Sequence, residues 1–281
     1  MTGYKVKKLL PAMDLAAVLY RTTHAQDFDA GYAAYEAEDY LDALQEWRPL
    51  AEEGVVGAQY NLGFMYSNGQ GVPQDYEEAV KWYRQAAEQG DVDAQYNLGF
   101  FYIAGRGVPQ NYAESVNWYR KAAEQGDARA QFGLGLAYYS GLEVFQDYIQ
   151  SVQWYRRAAK QGHGSAQSNL GFMYNIGQGV PQDYAEAVNW YRKAAEQGDA
   201  SAQANLGFMY YNGWGVPKDY SVAHMWSNIA NANGNENGAK LRDLVAEGMN
   251  PEDIPKAQDM AMECMSSNYQ NCGYWTFWLE L

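Results

Sequence analysis

A 36-residue unit recurs five times in register through the middle of this 281-residue chain. Ala58, Ala94, Ala130, Ala166 and Ala202 each open an Ala-Gln-x-x-Leu-Gly block, and Trp82, Trp118, Trp154, Trp190 and Trp226 follow at the same spacing without insertion or deletion. Self-similarity at a period of roughly 20 to 50 residues marks a chain whose units bury their apolar faces against their neighbours rather than around one centre. The period therefore defines an elongated array before any ligand can be considered.

Within one unit, Ala58, Leu62, Met65 and Tyr66 recur at helical spacing and predict a first helix over about residues 57–68. Gly63, repeated as Gly99, Gly135, Gly171 and Gly207, costs a helix about 1 kcal/mol relative to alanine, so its recurrence points to close approach of a partner helix. The stretch from Asn68 to Pro73 ends the helix. Asp75 opens a second helix, and with Glu78 it predicts a capping box, repeated as Asn111/Glu114, Asp147/Gln150 and Asp183/Glu186. Ala79, Val80, Tyr83, Ala86 and Ala87 form its buried stripe, and Gly90 its left-handed cap. The unit is an αα-hairpin. In the third unit Glu143 stands where the others have the second glycine of Gly-x-Gly, and Phe145 replaces proline, so that loop is expected to differ in shape.

The blocks Ala-x-x-x-Leu-Gly-x-x-Tyr, Gly-x-Gly-Val-x-x-Asp and Ala-x-x-Trp-x-x-x-Ala-Ala-x-x-Gly resemble the Sel-one-like repeat (SLR) family, a relative of tetratricopeptide repeats, across residues 58–226. The resemblance implies an all-α fold, a right-handed αα-superhelix of about five full helix-turn-helix repeats with N- and C-terminal capping helices, whose concave face binds a protein or peptide. On this reading residues 1–25 form a leader, 26–57 a truncated capping repeat without the Gly-x-Gly loop, 58–229 the five repeats, and 230–281 a helical cap with an apolar tail.

Residues opposite the buried stripe of each first helix are the candidate peptide groove. One column reads Tyr60, Tyr96, Phe132, Ser168 and Ala204, and the column beside it Phe64, Phe100, Leu136, Phe172 and Phe208. Rows of exposed aromatics mark interaction sites, although some of these rings could instead pack between repeats. Asn61, Asn97, Asn169 and Asn205 border the spine, with Gly133 the exception. Their amides suit either an extended peptide backbone or a neighbouring helix. These columns carry no Lys or Arg of the kind that clamps a terminal carboxylate in tetratricopeptide domains. Arg84, Arg120, Arg156 and Arg192 are expected on a solvated face, four residues before Glu88, Glu124 and Glu196 in the first, second and fourth cases.

The formal charge of −14 disfavours nucleic acid and anionic membrane surfaces, which are held by lysine and arginine. Lys5, Lys7 and Lys8 before the apolar stretch Leu9–Tyr20, with Thr23-His24-Ala25 ahead of Gln26, outline a secretory signal peptide, against which Asp14 and Arg21 stand. If it is one, the protein is periplasmic or secreted and has no integral membrane segment once processed; if it is not, the protein is cytoplasmic. Cys264 and Cys272, the only cysteines, read as a disulfide in an exported chain.

The three histidines assemble no catalytic triad or metal set, the carboxylates fall at caps and solvated faces, and no cofactor is implied. The expected function is a non-enzymatic scaffold. The alternative comes from resemblance to cysteine-rich SLR proteins linked to penicillin binding and weak β-lactamase activity. Those carry a cysteine pair in each repeat, whereas this chain has none within its repeats. Beyond the repeats, Ala239 to Glu247 and a helix started by Asn250-Pro251-Glu252-Asp253 and running to about Ser266 are expected to cap the open end, with the apolar segment 274–281 as cap or groove occupant.

Overall fold

The computed structural model describes residues 27–270 and Cys272; the leader and the apolar tail 274–281 lie outside the described residues. The described residues form an all-α solenoid without strands. They divide into two compact units between Asn111 and Tyr112.

The first unit holds α1 (27–36), α2 (Tyr40–Glu52), α3 (Val56–Asn68), α4 (Tyr76–Glu88) and α5 (Val92–Ala104). From α2 onward each helix packs on the next. The cap retains both helices of a hairpin and loses only the long connection, which shrinks to residues 37–39 with Glu38 in the left-handed region. Trp47, Leu50, Ala58, Leu62 and Met65 form a dry core between α2 and α3.

The second unit runs from α6 (Tyr112–Glu124) through α7 (Ala128–Ser140), α8 (Tyr148–Lys160), α9 (Gly164–Ile176), α10 (Tyr184–Ala195), α11 (Ala200–Asn212) and α12 (Tyr220–Ala232) to α13 (Glu236–Glu247) and α14 (Asp253–Ser266). Both α13 and α14 pack on α12, whose Trp226 is fully buried. α13 starts three residues before the predicted Ala239, because the Asn235 side chain accepts the Gly238 N–H and caps it there. α14 starts at Asp253 rather than at Pro251. The Asp253 N–H closes a turn onto the Asn250 carbonyl, which keeps the proline in the turn.

Recurring local features explain the repeat. The Tyr83 ring lies over Gly63, so a Cβ there would stand 2.7 Å from a ring carbon, and Tyr155 and Tyr191 cover Gly135 and Gly171 in the same way. Asp75 accepts from the N–H groups of Glu77 and Glu78, as a cap should. The predicted capping box is one-sided, however. The Asp75 N–H goes to the Tyr66 carbonyl at 2.9 Å, an acceptor at the end of α3 that a long-range loop brings within reach, and Asp147, Asp183 and Asp219 repeat this.

The Gly-x-Gly loop packs over the start of the second helix one repeat earlier. A Cβ at Gly71 (φ 69°) would lie 2.7 Å from the Tyr40 carbonyl oxygen. Glu143 adopts the same left-handed conformation, φ 54°, and the bonds from Gly141 and Leu142 to Ala137 and from Asp147 to Tyr138 match those of the other loops. The third loop thus keeps the common shape and carries the strain of a side chain at positive φ. Glu143→Gly is expected to raise stability by about 1 kcal/mol, visible as a higher melting temperature. A lower one would mean that the glutamate side chain makes an offsetting contact.

Candidate peptide-binding surface

The first helix of each repeat turns its Ala-Gln-Leu-Gly side into the stack, which leaves the opposite side outward. In the first unit Phe64 and Phe100 are 36% and 40% exposed; in the second, Leu136, Phe172 and Phe208 are 41%, 38% and 41% exposed. One large apolar side chain per repeat stands in solvent to nearly the same extent.

The neighbouring column behaves differently. Tyr60 and Tyr96 are half-buried, with the Tyr60 ring 5.8 Å from that of Tyr83. Phe132 packs 5.9 Å from Tyr155 and stacks on His163 at 4.7 Å. His163 caps α9 through Nδ1, which accepts the Ala166 N–H, and burial pushes its pKa below the ordinary histidine value. Ser168 and Ala204 are buried. This column joins helices more than it faces solvent.

The asparagines split into two groups. Asn97 and Asn169 lie within hydrogen-bonding reach of the Tyr83 and Tyr155 hydroxyls on the preceding helix; burial is the main influence on both phenols and pushes Tyr155 up to about 12. Asn61 and Asn205 line pockets instead. The helix before Asn61 carries Trp47 at the tyrosine position, which has no hydroxyl to offer. Asn205 borders a depression of about 350 Å³ with Phe208, Asn237 and Leu241, and the Tyr191 hydroxyl has no partner among the described residues.

The residue after the first glycine of each loop was missed by sequence reasoning, because it varies between repeats: Gln70, Arg106, Leu142, Gln178 and Trp214. The loop brings it beside the exposed column. The Arg106 guanidinium lies 5.7 Å from the centre of Phe100 and 5.5 Å from that of Tyr76, so a cation does reach this surface despite its absence from the helix columns. Trp214 meets Phe208 edge-on at 5.4 Å and stacks on Tyr184 at 5.1 Å. Variation at this position amid largely repeated neighbours was the available signal.

Two further columns build the stack. Arg84, Arg156 and Arg192 do not form a solvated face; each is half-buried and donates to the hydroxyl of a tyrosine on the next first helix, Tyr102, Tyr174 and Tyr210, at 2.9, 2.8 and 3.1 Å. The buried Gln59, Gln95, Gln131, Gln167 and Gln203 each donate to a carbonyl eight residues earlier, as Gln167 does to Ala159 at 3.1 Å.

Cys264 and Cys272 are joined in a disulfide. Among the described residues no group of three or more His, Cys, Asp or Glu is placed to hold a metal ion, and no helix is long and apolar enough to cross a membrane.

Comparison with known proteins places five Sel1 repeats at residues 56–91, 92–127, 128–163, 164–199 and 200–235. A solved protective antigen of uropathogenic Escherichia coli strains, displaying an SLR fold, is 36% identical over 92% of this chain, with a TM-score of 0.77; the match spans 58% of that protein. A Sel1 repeat protein from Oxalobacter formigenes is also 36% identical, over 84% of this chain and 96% of its own, with a TM-score of 0.73. No curated protein matches the chain.

Proposed function

We propose that this chain, which belongs to the Sel1 repeat family, is a non-catalytic scaffold that holds a protein or peptide along the exposed column of its first helices. The observation that carries this reading is the uniform exposure of Phe64 and Phe100 in one unit and of Leu136, Phe172 and Phe208 in the other. A large apolar side chain left at that exposure once is ordinary; repeated at one column within each of the two units it gives each of them a patch that a partner can cover. The flanking loop residues, among them Arg106 and Trp214, would distinguish one partner from another. The disulfide supports an oxidising compartment, and with the leader-like residues 1–25 it favours work outside the cytoplasm.

The test uses side chains whose removal spares the stack. Asn97 is a poor choice, since it lies on the Tyr83 hydroxyl. A random peptide library displayed on phage is selected against the purified protein, and the enriched peptide is measured against Phe100→Ser and Phe172→Ser. Each substitution is expected to weaken binding about tenfold, the loss of roughly 1.4 kcal/mol of contact. Unchanged affinity in both, with unchanged melting, would remove the groove reading.

A further inference from the structure

Five aromatic residues meet around one hollow at the N-terminal end of the first unit. Tyr32 and Tyr35 of α1, Trp47 of α2, and Tyr60 and Phe64 of α3 line a pocket of about 190 Å³ together with Asn61. Two of its walls, the Tyr35 and Phe64 rings, stand at 72° to one another with centroids 6.4 Å apart, and Tyr35 packs against Trp47 at 5.7 Å. Tyr32 is 52% exposed, so the pocket opens to solvent.

The polar atoms of this wall are already engaged. The Trp47 indole N–H donates to the Phe28 carbonyl at 3.1 Å, and the Tyr35 hydroxyl donates to the Gln70 side chain at 3.1 Å. Trp47 is 2% exposed and backs the pocket, so what a ligand meets is the ring surface of Tyr35 and its more exposed neighbours, which carries negative potential on its faces. The surroundings reinforce it. Residues 27–54 hold nine carboxylates against Arg48 alone, a net charge of −8, and the Arg48 guanidinium is tied to the Tyr66 hydroxyl at 3.0 Å. Among the described residues no cation lines the pocket.

We infer that this pocket is an aromatic cage for a cationic side chain, lysine or arginine, presented by a basic segment of a partner polypeptide. Ring faces within about 6 Å attract such a cation. The acidic cap raises its local concentration, and the Asn61 carbonyl is an acceptor at the rim for its N–H groups. Arginine suits the site best, because its planar guanidinium stacks on rings and sheds water more readily than an ammonium. The inference rests on the groove reading for Tyr60, Asn61 and Phe64, and it adds what the first repeat selects.

The experiment titrates the full chain with three fluorescein-labelled peptides of one sequence, a glycine-spaced segment carrying arginine, its uncharged isostere citrulline, or norleucine. Wild type is expected to bind the arginine peptide at least about tenfold more tightly than the other two, with the preference abolished by Tyr32→Leu and Phe64→Leu, which keep apolar bulk and remove the rings. Equal affinity for all three peptides, lost on Phe100→Ser, would overturn the cage while leaving the groove intact. An arginine preference that survives both leucine variants and vanishes only with salt would assign it to the acidic surface at large and overturn the cage too. No binding of the arginine peptide, with tetramethylammonium chloride binding in its place, would overturn it in favour of a small-molecule site.

Discussion

Gln167→Leu should lower the unfolding free energy by about 2 kcal/mol, although the substitution keeps the volume and raises the hydrophobicity of a buried position. The Gln167 amide donates to the Ala159 carbonyl at 3.1 Å, and its oxygen accepts from Gln197 at 2.7 Å. Ala159 sits in the last turn of α8 and its carbonyl also accepts the Gly162 N–H at 3.1 Å, so leucine would remove the side chain's bond to that carbonyl and the acceptor that Gln197 uses, about 1 kcal/mol each. The same geometry recurs from Gln131 to Ala123 with Gln161 as donor, and from Gln203 to Ala195 with Asn233 as donor. Chemical denaturation of the variant checks this. A midpoint within error of wild type would mean that the backbone bonds alone hold this junction, and that the glutamine column marks the repeat without holding it.

Reduction of the Cys264–Cys272 bridge is expected to cost about 2–3 kcal/mol, the chain-entropy value for so short a loop. The bridged cysteines are eight apart in sequence, and Cys264 is fully buried in a core with Trp226, Val245 and Ala261. The loop they close carries Tyr269, whose hydroxyl accepts from Asn233 at 2.8 Å. Since Asn233 also donates to Gln203, the disulfide loop is tied to the end of the glutamine column. Thermal melting with and without dithiothreitol measures the cost, with the Cys264→Ala/Cys272→Ala variant as the arm that reductant should not affect. A wild-type melting temperature unmoved by complete reduction would show that α14 holds its place through packing alone.

Much of the fold was legible because the signals were local. Helix, loop and cap each follow from residues within a few positions of one another, and a sign repeated five times is hard to misread. Where the reading went astray, a distant atom had entered. The capping box lost its reciprocal half to the Tyr66 carbonyl, which lies nine residues back and arrives only when the loop closes. The arginines left their expected solvated face because a tyrosine hydroxyl from the next repeat came within 3 Å or so, as Tyr174 does for Arg156 at 2.8 Å. Glu143 accepted a left-handed φ because the loop's hydrogen bonds and packing outweigh one residue's strain.

The sequence by itself determined the period, the hairpin unit, the buried stripe and the outward column, since each depends on spacing along a helix. The tertiary structure alone decided which outward residues are free. It separated Phe64 and Phe100 from the half-buried Tyr60 and Tyr96, drew Asn97 and Asn169 onto tyrosines while leaving Asn61 and Asn205 at pockets, and carried Arg106 and Trp214 beside the column. Periodicity assigns a residue to a face; whether that face meets solvent or a neighbour depends on atoms brought together from about 14 to 36 positions away, which spacing does not encode.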